Sequence, residues 1–177
     1  MTDFIAENSY ILSQICGFLA IITAFSMYQF KKHRTIMFLS VLCSGIWCLH
    51  FAFLGLINPI LMNVVNLIRG AVYACREKPW ANKKFIPYLF AAVSLTLTVV
   101  TWENAWGILP CIGTICSTFA NWQTDTRKLK LLTVPVSLSW GVYDAVNKSV
   151  AGCLNEVLVL ISIALYFIRA RKETNNK

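Results

Sequence analysis

From Tyr10 to Phe30 the chain reads YILSQICGFLAIITAFSMYQF, with no charged residue and no alternation of polar and apolar positions. Such a run has few folded options. As an α-helix rising about 1.5 Å per residue it crosses roughly 30 Å of hydrocarbon with its backbone hydrogen bonds satisfied internally. A membrane β-barrel needs short strands with dyad alternation, which the run lacks. Comparable apolar stretches follow at about 35–55, 58–75, 85–101, 105–122, 131–147 and 152–170. The pattern predicts an all-α, polytopic membrane protein with seven transmembrane helices.

Charge placement supports the same reading. The chain is 57% hydrophobic, and only 14% of its 177 residues are charged. Its mean hydropathy is +0.60. A soluble domain would spread charge along the outer face of each helix; here it gathers between the apolar runs. With the N-terminus outside, four connections face the cytoplasm: Lys31–Arg34, Arg76–Lys84, Asp125–Lys130 and the tail from Arg169. They hold fourteen of the sixteen Lys and Arg residues. Only Lys148 falls on the other side, and Arg69 lies inside the third run. That asymmetry is the positive-inside pattern, and it places the C-terminus in the cytoplasm. The net charge of +8 therefore belongs to loops flanking spans, so the bilayer is the expected partner and nucleic acid is not. Asp3 and Glu7 precede the first run where a signal peptide would be basic, which predicts an uncleaved first span. The seven cysteines form no C-x-x-C and read as packing residues, so neither a metal nor a cofactor is expected.

An internal repeat organises the runs. Shifted by 93 residues, Arg34–Lys78 matches Arg127–Arg171 at 13 of 45 positions, including Ser44/Ser137, Trp47/Trp140, Leu61/Leu154 and Tyr73/Tyr166. Runs one and five align at 94, through Ile21/Ile115 and Phe25/Phe119. The expected organisation is 3+1+3: a first triple-helix repeat over 1–80, a linker helix within 81–103 and a second triple-helix repeat over 104–177. An odd linker restores orientation, so the two repeats are parallel and a solute site is expected between them.

Several polar residues fall where that site would lie. Trp47 sits about eight residues before the outer end of run two, and Asn63 about five after the start of run three, so both occupy the outer half at similar depth. The same count brings Trp140 near Glu156. Indole and amide together suit a small polar solute with an apolar ring face; an aromatic belt with an interhelical amide contact is the plainer account. A carboxylate within a span costs on the order of 2.5–3.5 kcal/mol and usually faces a cavity or a partner. That makes Glu156 a candidate for proton or cation coupling. Asn63, Asn66 and Arg69 form a polar stripe on one helix face, which should face protein or water. For Arg69, snorkelling to the cytoplasmic surface and pairing with an acid of the other half are both open. His50 is expected at the outer mouth, where ordinary hydrogen bonding is a plainer role for it than proton transfer, and Asp144 is expected at the solvated surface, where it could simply pair with Lys148. Pro110, Gly113 and Pro135 interrupt runs five and six and are hinge candidates, although a first-turn position would explain Pro135 without motion.

LPCIGTICST (Leu109–Thr118), Trp47-x-x-His50 and Asn66-x-x-Arg69 make the chain resemble the YgjV-type bacterial inner-membrane proteins over nearly its whole length. That resemblance implies a multi-pass protein of the bacterial inner membrane. More distantly, the three-one-three plan with Trp47, Asn63 and Trp140 resembles the SWEET and SemiSWEET sugar transporters. There a Trp on the second helix and an Asn on the third helix of each half line the central pocket. Glu156 stands where the second Asn would be, and the Pro-Gln hinge of the related PQ-loop proteins is absent, since Cys111 follows Pro110. The resemblance implies a transporter of small polar, sugar-like solutes, or alternatively a non-transporting receptor or scaffold of the same fold. A homo-oligomer is compatible with either. No phosphate loop, H-E-x-x-H or G-x-S-x-G points to an enzyme.

Overall fold

The computed structural model describes residues 7–27 and 33–175. Asp3, Lys31, Lys32 and Lys177, on which part of the charge pattern rests, lie outside the described residues. Among the described residues there are seven α-helices and no strand: α1 (Ser9–Met27), α2 (His33–Phe53), α3 (Ile57–Ala74), α4 (Ile86–Val100), α5 (Ile108–Trp122), α6 (Thr126–Val146) and α7 (Val150–Asn175). By length and apolar composition, Ser9–Ser26 of α1 and Val150–Arg171 of α7 are the two clear membrane-span candidates.

Helix ends differ from the apolar runs for identifiable reasons. The sixth helix starts at Thr126, several residues before its run. The Asp125 carboxylate accepts the Arg127 N–H at 2.8 Å, capping a first turn of basic residues with good helix propensity. The fifth run divides into a 3-10 turn, Ala105–Gly107, and α5, with the Asn104 side chain accepting from the Trp106 N–H at 3.0 Å. Pro110 is thereby the third residue of α5, in the first turn, where its missing N–H breaks no helical bond. Pro135 lies inside α6 and not in its first turn, because the helix already starts at Thr126.

The turns that end α2 and α6 are copies of each other. The Leu56 N–H donates to the Phe51 carbonyl at 3.0 Å and the Gly55 N–H to Ala52 at 3.0 Å. Ser149 donates to Asp144 at 2.8 Å and Lys148 to Ala145 at 3.2 Å, each 93 positions on. This is the Schellman closure, which needs a left-handed residue after the cap. Gly55 (φ 72°) and Lys148 (φ 56°) supply it, and they are the positive-φ residues of the described chain. The Cys48 Sγ lies 3.9 Å from the Ile60 carbonyl, and the Cys153 Sγ lies 3.9 Å from that of Gly141, the same two positions with the sulfur exchanged between helices.

Packing follows the chain within each half, α1 on α2 on α3 and α5 on α6 on α7. Two further contacts, α3 on α5 and α7 on α1, join the halves, and a shift of one repeat exchanges them. The six helices thus close a ring, while α4 packs outside on α3 and α5. Cross-contacts fix the alternation of direction. Tyr10 Oη donates to the Lys148 carbonyl at 3.1 Å and Asn58 Nδ2 to Thr101 Oγ1 at 3.2 Å at one end, whereas Arg76 Nη1 donates to the Trp122 carbonyl at 3.0 Å at the other. The second end carries Arg76, Lys83, Lys84, Lys130 and Arg169; the first carries Lys148.

Polarity is inverted relative to a water-soluble bundle. Phe18, Ile22, Leu95, Val99, Val157 and Leu165 are exposed, while Ser13, His50, Asn63, Arg69, Thr114, Thr118 and Asp144 are buried. Apolar side chains outside and polar groups inside are what a hydrocarbon surround requires.

Candidate functional site

Inside the ring lies a cavity of about 530 Å³. Trp47 and Phe51 of α2 stand one turn apart on its wall, as do Trp140 and Asp144 of α6. The third helix contributes Asn63, Asn66, Arg69 and Tyr73; α5 contributes Ser117 and Asn121; α7 contributes Asn155 and Glu156. No described lining residue comes from α1 or α4.

Aromatic rings from both halves form one wall. Phe51 stacks 6.0 Å from Trp47 and lies 5.8 Å from Trp140, which meets Tyr143 edge-on at 6.4 Å. Trp140 reaches the cavity because position 113 has no side chain: a Cβ on Gly113 would lie 2.6 Å from the indole Nε1. The glycine expected to act as a hinge therefore serves as a packing notch. Gly152 does the same for Asp144, since a Cβ there would overlap the carboxylate.

Arg69 is buried within the seam between α3 and α5. Its Nη1 donates to Ser117 Oγ at 2.7 Å, Thr118 Oγ1 at 2.8 Å and the Thr114 carbonyl at 3.3 Å. It neither snorkels nor meets an acid; neutral oxygens of the other half hold it, and its Nε has no protein partner. Asn66 Oδ1 and Asp144 Oδ1 are likewise unpartnered. An unsatisfied buried polar atom costs free energy comparable to a lost hydrogen bond. Three of them, two on α3 and one on α6, belong to residues that line the cavity. Glu156 accepts from Asn155 Nδ2 at 3.0 Å, and Asn63 Nδ2 donates to the Pro59 carbonyl at 2.9 Å.

The Imp-YgjV family model, described as bacterial inner membrane protein, matches residues 11–174. The chain belongs to this family. No curated protein and no solved structure matches it, so the likeness to the SWEET carriers rests on the residue pattern of the two halves alone.

Six of the seven expected binding residues of this Imp-YgjV protein, Trp47, Asn63, Asn66, Arg69, Trp140 and Glu156, line the one cavity. His50 does not. It is fully buried between α1 and α7, with Nδ1 2.6 Å from the Ser13 carbonyl and Nε2 2.8 Å from Ser149 Oγ. A carbonyl only accepts, so Nδ1 carries the hydrogen. The cause is simple: His50, whose ring meets that of Trp47 edge-on at 5.1 Å, points on towards Gly17 of α1, where a Cβ would sit 3.0 Å from the ring. Asp144 is the second correction. It is 2% exposed and not at a solvated surface. The helix ends at Val146, so Lys148 leaves the helical path and cannot sit one turn above it. The missed signal was present: Asp144 occupies the repeat position of Phe51, one turn beyond the paired Trp.

Proposed function

We propose that this family member carries small polar solutes across the bacterial inner membrane, through seven spans in a 3+1+3 plan, with the ring cavity as its solute site. The single observation that carries the reading is the convergence of both halves' Trp with Asn63, Asn66, Arg69 and Glu156 on one cavity among helices whose outer faces are apolar. Parallel repeats with a central site are a known carrier plan, because two like bundles can rock about a fixed midpoint. The reciprocal α3–α5 and α7–α1 seams and the matching turns at Gly55 and Lys148 support two equivalent triplets, with 81–103 as the linker. Sorting of Lys and Arg to one end supports an outward N-terminus and a cytoplasmic C-terminus. One chain holds both halves, so the cavity needs no homo-oligomer to enclose it. We read it as a carrier because the indoles and amides that line the cavity are suited to hold a solute. Pro135 is the remaining hinge candidate of the three.

The test is solute uptake into proteoliposomes over a panel of sugars, amines and amino acids. Trp47→Ala, Asn63→Ala and Glu156→Gln are each expected to lower the uptake of a transported solute at least about tenfold, the scale of one lost buried contact. Unchanged uptake in all three variants overturns the site. Saturable binding without any flux would mark a receptor or scaffold instead.

A further inference from the structure

The scaffold of the cavity is repeated, but its charge is not. Trp47 is matched by Trp140, whereas Phe51 is matched by Asp144, Asn63 by Glu156 and Arg69 by Ser162. Both carboxylates thus come from the second half, and the guanidinium comes from the first. Arg69 cannot neutralise them directly, because α5 oxygens hold it at the basic end. Among the described lining residues there is no other Lys or Arg. Asp144 is 2% exposed with Oδ1 unpartnered, and Glu156 is met by the Asn155 amide.

Beside these acids stand the rings of Trp47, Phe51 and Trp140, with Gly113 and Gly152 leaving room for the indole and the carboxylate. A neutral sugar would leave the buried Asp144 and the half-buried Glu156 without a counter-charge, which is costly in a low-dielectric site. A hard metal ion gains little from ring faces and prefers a full shell of oxygens. An organic ammonium ion uses both features, through charge pairing with carboxylates and attraction to the aromatic quadrupoles. We infer that the solute class of this cavity is an organic ammonium ion, its cationic nitrogen held by Asp144 and Glu156 and its hydrocarbon part against Trp47, Phe51 and Trp140. The inference rests on the cavity being the solute site. The asymmetric placement of charge fixes the orientation of the guest, ammonium towards the Lys148 end and the remainder towards Arg69.

Binding of n-butylammonium, 1-butanol and D-glucose to the full-length protein in lipid nanodiscs, read by calorimetry, tests it. Saturable binding of n-butylammonium is expected, at least tenfold tighter than 1-butanol, and weakened at least tenfold by Asp144→Asn and by Glu156→Gln. Thermal unfolding checks that the variants fold; if Asp144→Asn does not, Glu156→Gln decides alone. Equal affinity for 1-butanol, or full affinity in the folded carboxamide variants, overturns the inference. Glucose binding lost in Trp47→Ala, without ammonium binding, also overturns it but leaves the carrier reading standing. If no solute of any class binds or crosses, both fall together.

Discussion

At the scale of the residue, His50 shows how a polar group expected to serve a solute can serve the fold. It ties α1, α2 and α7 together through Ser13 and Ser149, and the Ser149 hydroxyl also accepts the Gly152 N–H at 3.1 Å. Removing the ring takes one partner from the buried Ser13 carbonyl and one from the Ser149 hydroxyl. His50→Ala is therefore expected to destabilise the protein by about 1–3 kcal/mol, from two lost hydrogen bonds at about 0.5–1.5 each, seen as a lowered thermal midpoint in lipid nanodiscs. Gly113→Ala makes the opposite kind of change. Its new methyl enters the space of the Trp140 indole, an overpacking that costs about 1–3 kcal/mol and pushes the ring into the cavity. Solute binding should fall even where the variant folds, and Trp140 emission should shift; unaltered binding would remove Gly113 from the site's architecture.

The elements most open to test are the paired turns. Gly55 adopts its left-handed conformation freely, while Lys148 holds the same conformation against its own Cβ. Its backbone makes the contacts: the N–H donates to the Ala145 carbonyl at 3.2 Å, and the carbonyl accepts from Tyr10 Oη. Lys148→Gly should keep that bond and relieve the strain, raising stability by about 1 kcal/mol, whereas Gly55→Ala should lower it by about 1–2 kcal/mol. Denaturation of the two variants side by side measures both signs. If both lower stability equally, the two turns are not equivalent. Helix ends also show the limit of hydropathy: α6 begins among Arg127, Lys128 and Lys130 because capping and propensity extend a helix beyond its apolar stretch.

At the scale of the whole molecule, the two seams that join the halves are fastened at opposite ends. The seam between α1 and α7 is held near Lys148 by Tyr10, by Gln14 Oε1, which accepts the Ala151 N–H at 2.9 Å, and by His50. The seam between α3 and α5 is held further along, by Arg69, by Tyr73 Oη, which donates to the Thr118 carbonyl at 3.2 Å, and by Arg76 over the Trp122 ring at 3.9 Å. The proposed topology puts those ends on opposite sides of the membrane. In a cysteine-free background, Lys148→Cys should react with an impermeant maleimide added to intact cells, and Lys83→Cys only after the inner membrane is opened. Reaction of both from the same side would defeat the odd count of spans.

Much of this was legible in the chain itself. Apolar runs dictate helices, because backbone hydrogen bonding in hydrocarbon depends on local sequence alone. The repeat, read at a spacing of 93, already paired Trp47 with Trp140 and Asn63 with Glu156. What the sequence left undecided was the angular position of each helix about its axis. That depends on contacts between residues distant in the chain, such as Gly17 with Ala151 and Gly113 with Trp140. Those contacts alone turned Asp144 inward, His50 away from the cavity and Arg69 onto the hydroxyls of α5.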